Sequence, residues 1–400
     1  MEFPVATSPA PGVMGVDWEI RIDFERLRQY RLGRVRRMLE EFDLGALLLF
    51  ETSNIRYATA TQIGYWAFNK GERWALITRE GRPKIWDFGS AAKAHRLQLP
   101  HMYDTENSVG GNTGLQGAIG PETGLHARAV REIKETLDSA GVGSDQLGVD
   151  LAETAVFLAL QDAGLRVVDG QQAMMRAREI KSPDEIVLLT QACAMVDGVY
   201  QDIYEMLKPG IRESDVVGMA HARLFGMGSE FVEAINSIAG ERCSPHPHVF
   251  SDRIIRPGDQ AYFDIIHSFN GYRTCYYRTF VVGRATQAQR DAFKQSREWM
   301  DAAIELVKPG VKPIKSPRSG PGPRSSGLRT RWTLSVSNSA MVSGSASMSD
   351  RSSAASTRSR HPSRSKRECC SRWRRTPRPP MADRPRASRR KLSSPPMAAR

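Results

Sequence analysis

Apolar residues recur at the spacing of an amphipathic helix over residues 24–42, and short apolar segments separated by polar turns follow them. The run ALLLF (46–50) is typical of a buried strand, and Glu80-Gly81 separates two strand-like segments as a hairpin turn would. Further patterns predict helices near 125–140 and 153–164, strands at 147–151 and 165–169, and a loop over 104–121. This alternation predicts an α/β domain over residues 20–168.

A second pattern begins near residue 171 and predicts long capped helices followed by strands. Ser182 is suited to cap a helix that has Pro183 at its first position and Glu185 at its third, and that runs to Leu207. The segments that follow predict a second helix from about 212, strands at 230–239, 260–267 and 276–283, and a further helix from about 286. Lys-Pro-Gly follows a helix twice, at 208–210 and 308–310, which indicates either an internal repeat or two similar helix stops.

The C-terminal segment differs in composition from the rest of the chain. Residues 315–400 carry a formal charge of +18 with 21 serines and ten prolines, whereas residues 1–314 carry −5. We expect disorder over 314–400 and over residues 1–19. The Arg and Ser content of the tail would suit nucleic acid, but its two tryptophans lie far apart and offer no stacking pattern, so nucleic acid is the disfavoured partner.

Cysteine spacing and hydropathy indicate the cellular compartment of the protein. The five cysteines contain no Cys-x-x-Cys pair, which disfavours a disulfide framework and indicates a reducing cytoplasm. The N-terminus lacks a basic segment followed by an apolar run, so it does not predict a signal peptide. The longest apolar run, GALLLF, is too short to cross a bilayer, and no membrane partner is expected.

Chemically versatile side chains concentrate on one predicted hairpin, residues 264–280. Asn270-Gly271 predicts a two-residue turn, which pairs position 264 with 277, 266 with 275 and 267 with 274. Asp264 and Cys275 then lie diagonally on one face of the hairpin, and His267 points to the other. Three interpretations of Cys275 stay open: a small buried thiol, a metal ligand, or a catalytic or binding group that works without metal.

Four ordered segments resemble the pita-bread metallohydrolase family, which includes aminopeptidase P, prolidase, methionine aminopeptidase and the metal-free creatinase. They are REIKSPDEI (178–186), LKPGIRESD (207–215), SPHPHVFSDRIIRPGDQAYFDI (244–265) and GYRTCYYRTF (271–280). Residues 20–165 resemble the creatinase-type N-terminal domain more weakly. The resemblance implies a mixed α/β (α+β) fold, with a creatinase-type N-terminal domain over 20–168 and an incomplete pita-bread catalytic domain over 171–313. It also implies a homodimer.

The resemblance further implies a metal centre. Asp264 matches the first metal-binding aspartate of the family, and Cys275 stands where the second aspartate is expected, three residues before Arg278. Because a thiolate favours Zn or Fe over Mn, the departure puts a two-metal peptidase site in question. We expect a divalent metal in the intact family, and either such a metal or none in this chain.

Other site residues are implied in the same way. One of His246 and His248, of which His248 is favoured, matches a histidine that hydrogen-bonds the substrate or the tetrahedral intermediate. Arg278 and Tyr272 are candidate substrate-binding residues, with orientation or packing as the alternative.

The tail lacks the His in a Gly-His-Gly loop and the two Glu residues that complete the family's site, yet a shifted reading frame restores them. We joined the last base of each codon to the first two bases of the next, choosing codons to fit. Residues 339–351 then become Gly-His-Gly-Val-Gly-Leu-Gly-Ile-His-Glu-Arg. Residues 366–376 become Glu-Gly-Met-Leu-Phe-Ala-Leu-Glu-Thr-Tyr, and 386–398 become Arg-Ile-Glu-Glu-Glu-Val-Val-Val-Thr-Ala-Asp-Gly. Three matches in family order and in one frame favour a frameshift near 312–316.

These observations lead to one principal hypothesis and two alternatives. The principal one is a hydrolase of the Xaa-Pro aminopeptidase or dipeptidase type, acting on a small peptide or amide and inactive as encoded here. The alternative enzymes are a creatinase-like C–N hydrolase without metal and a dimethylsulfoniopropionate lyase. The alternative of another class is a binding module without catalysis.

Overall fold

A computed structural model describes residues 22–64, 71–112, 117–244 and 246–310. The first part of the described chain forms a six-stranded mixed sheet in the order β4-β3-β2-β1-β5-β6. Strand β1 runs antiparallel to β2 and parallel to β5. The elements are α1 (Phe24–Glu41), β1 (Ala46–Leu49), α2 (Thr52–Thr59), β2 (Trp74–Thr78), β3 (Lys84–Asp87), α3 (Gly89–Gln98), β4 (Ser108–Gly110), α4 (Leu125–Ser139), β5 (Gln146–Val149), α5 (Thr154–Asp162), β6 (Arg166–Asp169) and α6 (Gln171–Ala177).

Helices cover both faces of this sheet because β1 is apolar on both sides. Leu47 and Leu49 pack with Val35 of α1 on one face. Leu48 packs with Trp74 and with Ile133 of α4 on the other. Full burial of one such side chain contributes about 1.5–3 kcal/mol, so a four-residue strand with no polar position is held firmly at the centre of the sheet.

The second part of the described chain is a three-stranded antiparallel sheet, β7-β8-β9, with two helices on one face. Its elements are α7 (Pro183–Met206), α8 (Glu213–Gly226), β7 (Phe231–Ala239), β8 (Gln260–Phe269), β9 (Tyr272–Val281) and α9 (Gln287–Glu305). Alternate residues of β8, among them Phe263 and Ile265, are buried against α7 and α8. The opposite face of β8 carries Asp264 and is described below.

Local sequence signals start and turn these elements. The backbone N–H of Glu185 donates to Oγ of Ser182 at 3.3 Å, and the N–H of Ser182 donates to the Glu185 carboxylate at 2.6 Å, which completes a capping box at the start of α7. Asn270 and Gly271 both have positive φ, 48° and 81°, as a type I′ hairpin turn requires.

Ion pairs connect the first sheet and its helices to the second sheet and its helices. Arg26 of α1 binds Asp184 of α7 through two nitrogen atoms, at 2.6 and 2.8 Å. Arg56 of α2 binds Glu230 through two contacts of 2.6 Å each. Both are bidentate pairs, the geometry in which an arginine and a carboxylate interact most strongly.

Most predicted elements are confirmed, with differences where the pattern was short or irregular. The helices α2, α3 and α6 were not predicted, and the segment 104–121 contains strand β4 rather than a loop alone. Strand β9 begins at Tyr272, four residues before the prediction, because the two-residue turn lets pairing start immediately. The domain limits remain predictions, and the ends predicted to be disordered, 1–19 and 314–400, lie outside the described residues.

Candidate functional site

The candidate site is the face of the second sheet opposite α7 and α8. Asp264 at the centre of β8 pairs with Asn236 of β7 and with Tyr277 of β9. Ile266 pairs with Cys275, so Cys275 lies diagonally beside Asp264 on the same face. The register predicted from the Asn-Gly turn is confirmed at each of the positions named above.

Both carboxylate oxygens of Asp264 accept hydrogen bonds from protein donors. Sγ of Cys275 donates to Oδ1 at 3.2 Å, and Nδ2 of Asn236 donates to Oδ2 at 3.0 Å. The Asp264 side chain is fully buried. The two donors satisfy a carboxylate that would otherwise be costly to bury.

Cys275 is a protonated thiol in this setting. Burial is the main cause that raises the pKa of Cys275 above its ordinary value, and the neighbouring Asp264 charge raises it further. The thiolate is the reactive and metal-binding form of cysteine, and in this arrangement the protonated Cys275 thiol donates a hydrogen bond to Asp264.

Two exposed imidazoles stand over this face. The ring of His246 stacks on Tyr262, with centroids 4.6 Å apart and planes 11° apart, and lies 5.2 Å from the ring of Tyr277. His248 meets His246 edge-on at 4.7 Å. The hydroxyl of Tyr262 donates to the carbonyl of Pro247 and so ties the histidine loop to the sheet. The structure thus brings His246, and through it His248, to the face that carries Asp264.

A buried glutamate at the start of α8 shapes the same loop. The carboxylate of Glu213 accepts from the backbone N–H of Ala239 at 2.8 Å and from Arg242 at 2.8 Å. It also accepts from the backbone N–H and the hydroxyl of Ser251, at 2.9 and 2.8 Å. Glu213 is fully buried, so these four bonds fix both ends of the loop that carries the two histidines.

The tyrosines of the site are hydrogen-bonding groups rather than acids. Burial is the main cause that raises the pKa of both Tyr262 and Tyr277, and the Asp264 charge adds to the increase in each. Their hydroxyls therefore stay protonated at neutral pH. The exposed imidazoles can donate to a carbonyl or a carboxylate of a small polar molecule.

His267 points away from this site, as predicted. Its Nδ1 lies 3.0 Å from the hydroxyl of Ser229, and its Nε2 lies 2.9 Å from the carbonyl oxygen of Ala192 on α7. Burial lowers the pKa of His267. The ring is a satisfied structural histidine between the sheet and α7.

The two candidate substrate-binding residues are not on the Asp264 face. The guanidinium of Arg278 lies on the helix side, 4.8 Å from the ring centroid of Tyr276 and 3.6 Å from Asp197. Tyr272 lies at the end of the hairpin, where its hydroxyl contacts Glu185 and Arg31. Strand alternation explains Arg278, because even-numbered positions of β9 face α7.

The described side chains do not fit a metal centre. Within the described ranges, no group of three or more His, Cys, Asp or Glu side chains could hold a metal ion. Asn236 and Cys275 each donate one hydrogen bond to Asp264, and Asn236 is not a carboxylate, imidazole or thiol ligand. A metal centre with three or four protein ligands therefore cannot be built from Asp264 and Cys275 with their present neighbours.

Residues 187–315 match the sequence model of metallopeptidase family M24. Over these residues, the chain is similar to metallopeptidase family M24. The matched part includes α7, α8, the whole second sheet and the histidine loop, and the family's name records a metal dependence that the described residues do not support by themselves.

The individual proteins to which this chain is similar carry different activities. This chain is 27% identical over 300 residues to the dimethylsulfoniopropionate lyase DddP of Roseovarius nubinhibens. That alignment covers 72% of this chain and 66% of the lyase. It is 31% identical over 135 residues to the Xaa-Pro dipeptidase of Pyrococcus furiosus. This shorter alignment covers 34% of this chain and 39% of the dipeptidase. The prolidase structure of Thermococcus sibiricus superposes with a TM-score of 0.58 at 20% identity, covering 72% and 74% of the two chains. That likeness shows a shared pita-bread fold.

Several residues of the site were not predicted from the sequence. Asn236, Glu213, Tyr262 and Tyr277 came from the structure alone. Asn236 gave a usable signal, since it and the adjacent Ser237 are polar residues between the apolar residues Ile235 and Ile238 of β7. Glu213 lay within a segment that was recognised, but its buried contacts depend on a loop nearly forty residues further along the chain.

Proposed function

We propose that this chain binds small peptides of the Xaa-Pro type, or related amides, at the Asp264 face and does not hydrolyse them as encoded. The similarity to an Xaa-Pro dipeptidase supports the substrate class. The observation that carries the loss of hydrolysis is that, within the described ranges, no three His, Cys, Asp or Glu side chains come together to hold a metal ion. Asp264, with Cys275 and Asn236 as its neighbours, lacks the further ligands that a catalytic metal needs.

The histidine loop supports the binding part of the proposal. His246 or His248 would donate to the substrate carbonyl, and Tyr277 would hydrogen-bond a second polar group of the same molecule. Each of these donors lies on or above one sheet face, so a small ligand could meet them together.

We propose further that the missing His and Glu ligands are encoded in the neighbouring reading frame after residues 312–316. The three restored segments named above support this, as does the abrupt change in composition at the same point. Sequencing the gene across these codons, in this strain and in a close relative, tests the proposal. An unbroken frame with the same tail in both would overturn it.

Three proteins test the loss of catalysis: the chain as encoded, its Cys275→Asp variant, and a frame-restored chain that carries Cys275→Asp. Hydrolysis of Ala-Pro and metal content by mass spectrometry are measured for each. We expect neither activity nor stoichiometric metal in the first, no activity in the second, and both in the frame-restored protein carrying Cys275→Asp. Activity with bound metal in the chain as encoded would contradict the proposal.

A second candidate activity is a lyase acting on dimethylsulfoniopropionate. The 300-residue alignment with the Roseovarius nubinhibens enzyme favours it, because that alignment covers both parts of the described chain. The frame-restored protein is incubated with dimethylsulfoniopropionate and, separately, with Ala-Pro. Consumption of the first alone would favour the lyase, and amide hydrolysis without bound metal would favour a creatinase-like enzyme.

We also propose a cytoplasmic homodimer. The three cysteines within the described ranges are free thiols, which suits a reducing compartment. No described helix combines the length and hydropathy that crossing a bilayer requires. Light scattering after size-exclusion chromatography measures the oligomeric state, and a monomer at micromolar concentration would contradict the dimer.

A further inference from the structure

Helix α9 carries an apolar stripe that the described residues leave exposed. Phe293, Met300 and Val307 recur every seven residues, and Ile304 lies on the same side of the helix. All four side chains are exposed, and no side chain of α9 is buried in the part of the chain that the structure describes. Because a protein helix is stabilised mainly by the packing of its apolar face, this stripe indicates a contact surface.

The helix is nevertheless well defined at its start. The backbone N–H of Gln289 donates to Oγ1 of Thr286 at 3.2 Å, and the N–H of Thr286 donates to Oε1 of Gln289 at 2.8 Å. These two bonds form a capping box. The helix has 19 residues, which at 1.5 Å per residue is about 28 Å. A stripe of this length can pack along a second helix over several turns.

The charges of α9 oppose its own dipole. Residues 287–297 contain three cations and one carboxylate, whereas residues 298–305 contain three carboxylates and no cation. The cations are Arg290, Lys294 and Arg297, and the carboxylates are Asp291 in the first half and Glu298, Asp301 and Glu305 in the second. The N-terminus of a helix favours negative charge and its C-terminus favours positive charge, so this order is unfavourable for α9 alone. A second copy of the same helix, packed antiparallel, places an acidic half beside each basic half.

We propose that two copies of the chain dimerise by antiparallel packing of their α9 helices. This inference rests on the homodimer proposed above and names its contact surface. In a pair centred near residue 298, Phe293 packs over Ala303 of the partner subunit, and Arg290 lies near Glu305 of the partner subunit. The large ring thus meets a small side chain, and the two charges attract.

The charge pattern also selects a second copy, packed antiparallel, over two other arrangements. A parallel pair would place the basic halves of the two helices side by side, where like charges repel. The segment 315–400 carries +18, so it complements only the acidic half of α9. An antiparallel second copy complements both halves.

The principal test is a charge exchange in the full-length chain. The proteins are the starting chain, Arg290→Glu, Glu305→Lys and the double variant, and sedimentation equilibrium measures the dissociation constant of each dimer. The intrahelical ion pairs of α9 join other residues, so neither substitution breaks one. Each single substitution also suits the helix dipole better, so a weaker dimer would not result from unfolding of α9.

A second test removes part of the apolar stripe. Phe293→Ser is compared with Leu97→Ser, the matched control. Both residues are exposed apolar side chains on helices, at 67% and 73%, but Leu97 lies on α3 beside the first sheet. Neither substitution removes a buried side chain, so we expect both variants to fold.

We expect each single charge variant to dimerise about tenfold more weakly, because a two-fold interface contains every substitution twice. The double variant should return to the affinity of the starting protein, since the exchanged charges attract again. Phe293→Ser should weaken the dimer by about a hundredfold or more, because two buried rings are lost, and Leu97→Ser should leave it unchanged. A dimer that is equally stable in all these proteins, or a double variant without recovery, would overturn the α9 pairing and leave a homodimer through another surface. A monomeric starting protein would overturn both proposals.

Discussion

The substitution Tyr272→Phe tests the junction between the two parts of the described chain. It removes one oxygen atom from a buried relay and leaves the ring in place. The hydroxyl accepts from Arg31 at 3.0 and 2.6 Å and donates to Glu185 at 2.8 Å. All three side chains are less than 10% exposed, so water cannot readily replace the lost hydrogen bonds.

The magnitude follows from what the variant leaves behind. The buried guanidinium and the buried carboxylate each lose a partner, at about 1–3 kcal/mol for each group. We therefore expect Tyr272→Phe to lower the free energy of unfolding by about 3 kcal/mol. For a folded unit of this size that loss lowers Tm by roughly 6–12 °C, at about 2–4 °C per kcal/mol.

Chemical denaturation followed by circular dichroism measures the change. Tyr204→Phe is the control, because Tyr204 is 66% exposed and we expect an effect within about 0.5 kcal/mol. A loss below about 1 kcal/mol in Tyr272→Phe would refute the reasoning, since Arg31 and Glu185 would then be satisfied without the phenol. Peptide affinity, measured on the same variant, separates this structural role from the substrate-binding role predicted for Tyr272.

Three further predictions concern the second sheet. Iodoacetamide at neutral pH should label the exposed Cys193 before the buried Cys275. Burial and a raised pKa protect the Cys275 thiol until the protein unfolds. Mass spectrometry measures the two labelling rates, and equal rates would contradict this prediction. Burial lowers the pKa of His267 from 6.5, so the unfolded chain binds a proton that the native chain does not, and stability falls as pH drops below about 6.5. Denaturation midpoints should accordingly fall more for the starting protein than for His267→Gln, and parallel changes would refute the assignment. Glu213→Ala removes four hydrogen bonds and should lower the free energy of unfolding by about 2–4 kcal/mol. It should also make the peptide bond after Arg242 accessible to trypsin. An unchanged cleavage rate would show that other contacts hold the histidine loop.

Much of the fold could be predicted because the signals that define it are local. The capping residues at Ser182 and Glu185 place the start of α7, and the Asn270-Gly271 turn sets the register of β8 and β9. That register in turn placed Asp264 and Cys275 on one face and His267 on the other. The short helices α2, α3 and α6 were missed, since seven to ten residues give too few turns for a distinct apolar period.

The site was predicted in part, and the limit lies in long-range contacts. A histidine loop was expected near the hairpin, but neither the stacking of His246 on Tyr262 nor the anchoring by Glu213 follows from spacing along the chain. Arg278 was assigned to substrate on resemblance, whereas strand alternation places it against α7.

The sequence by itself determined the order of elements, the pairing within the β8–β9 hairpin and the sharp change in composition near residue 315, because capping, turn and periodicity signals act over a few residues. Only the tertiary structure decided that Asn236 and Cys275 would occupy both oxygens of Asp264. It likewise decided that the guanidinium of Arg31, 241 residues before Tyr272, would hydrogen-bond to that phenol. Such contacts arise when separate elements pack and bury polar groups that must then find partners, and no local pattern records which partner each group will meet.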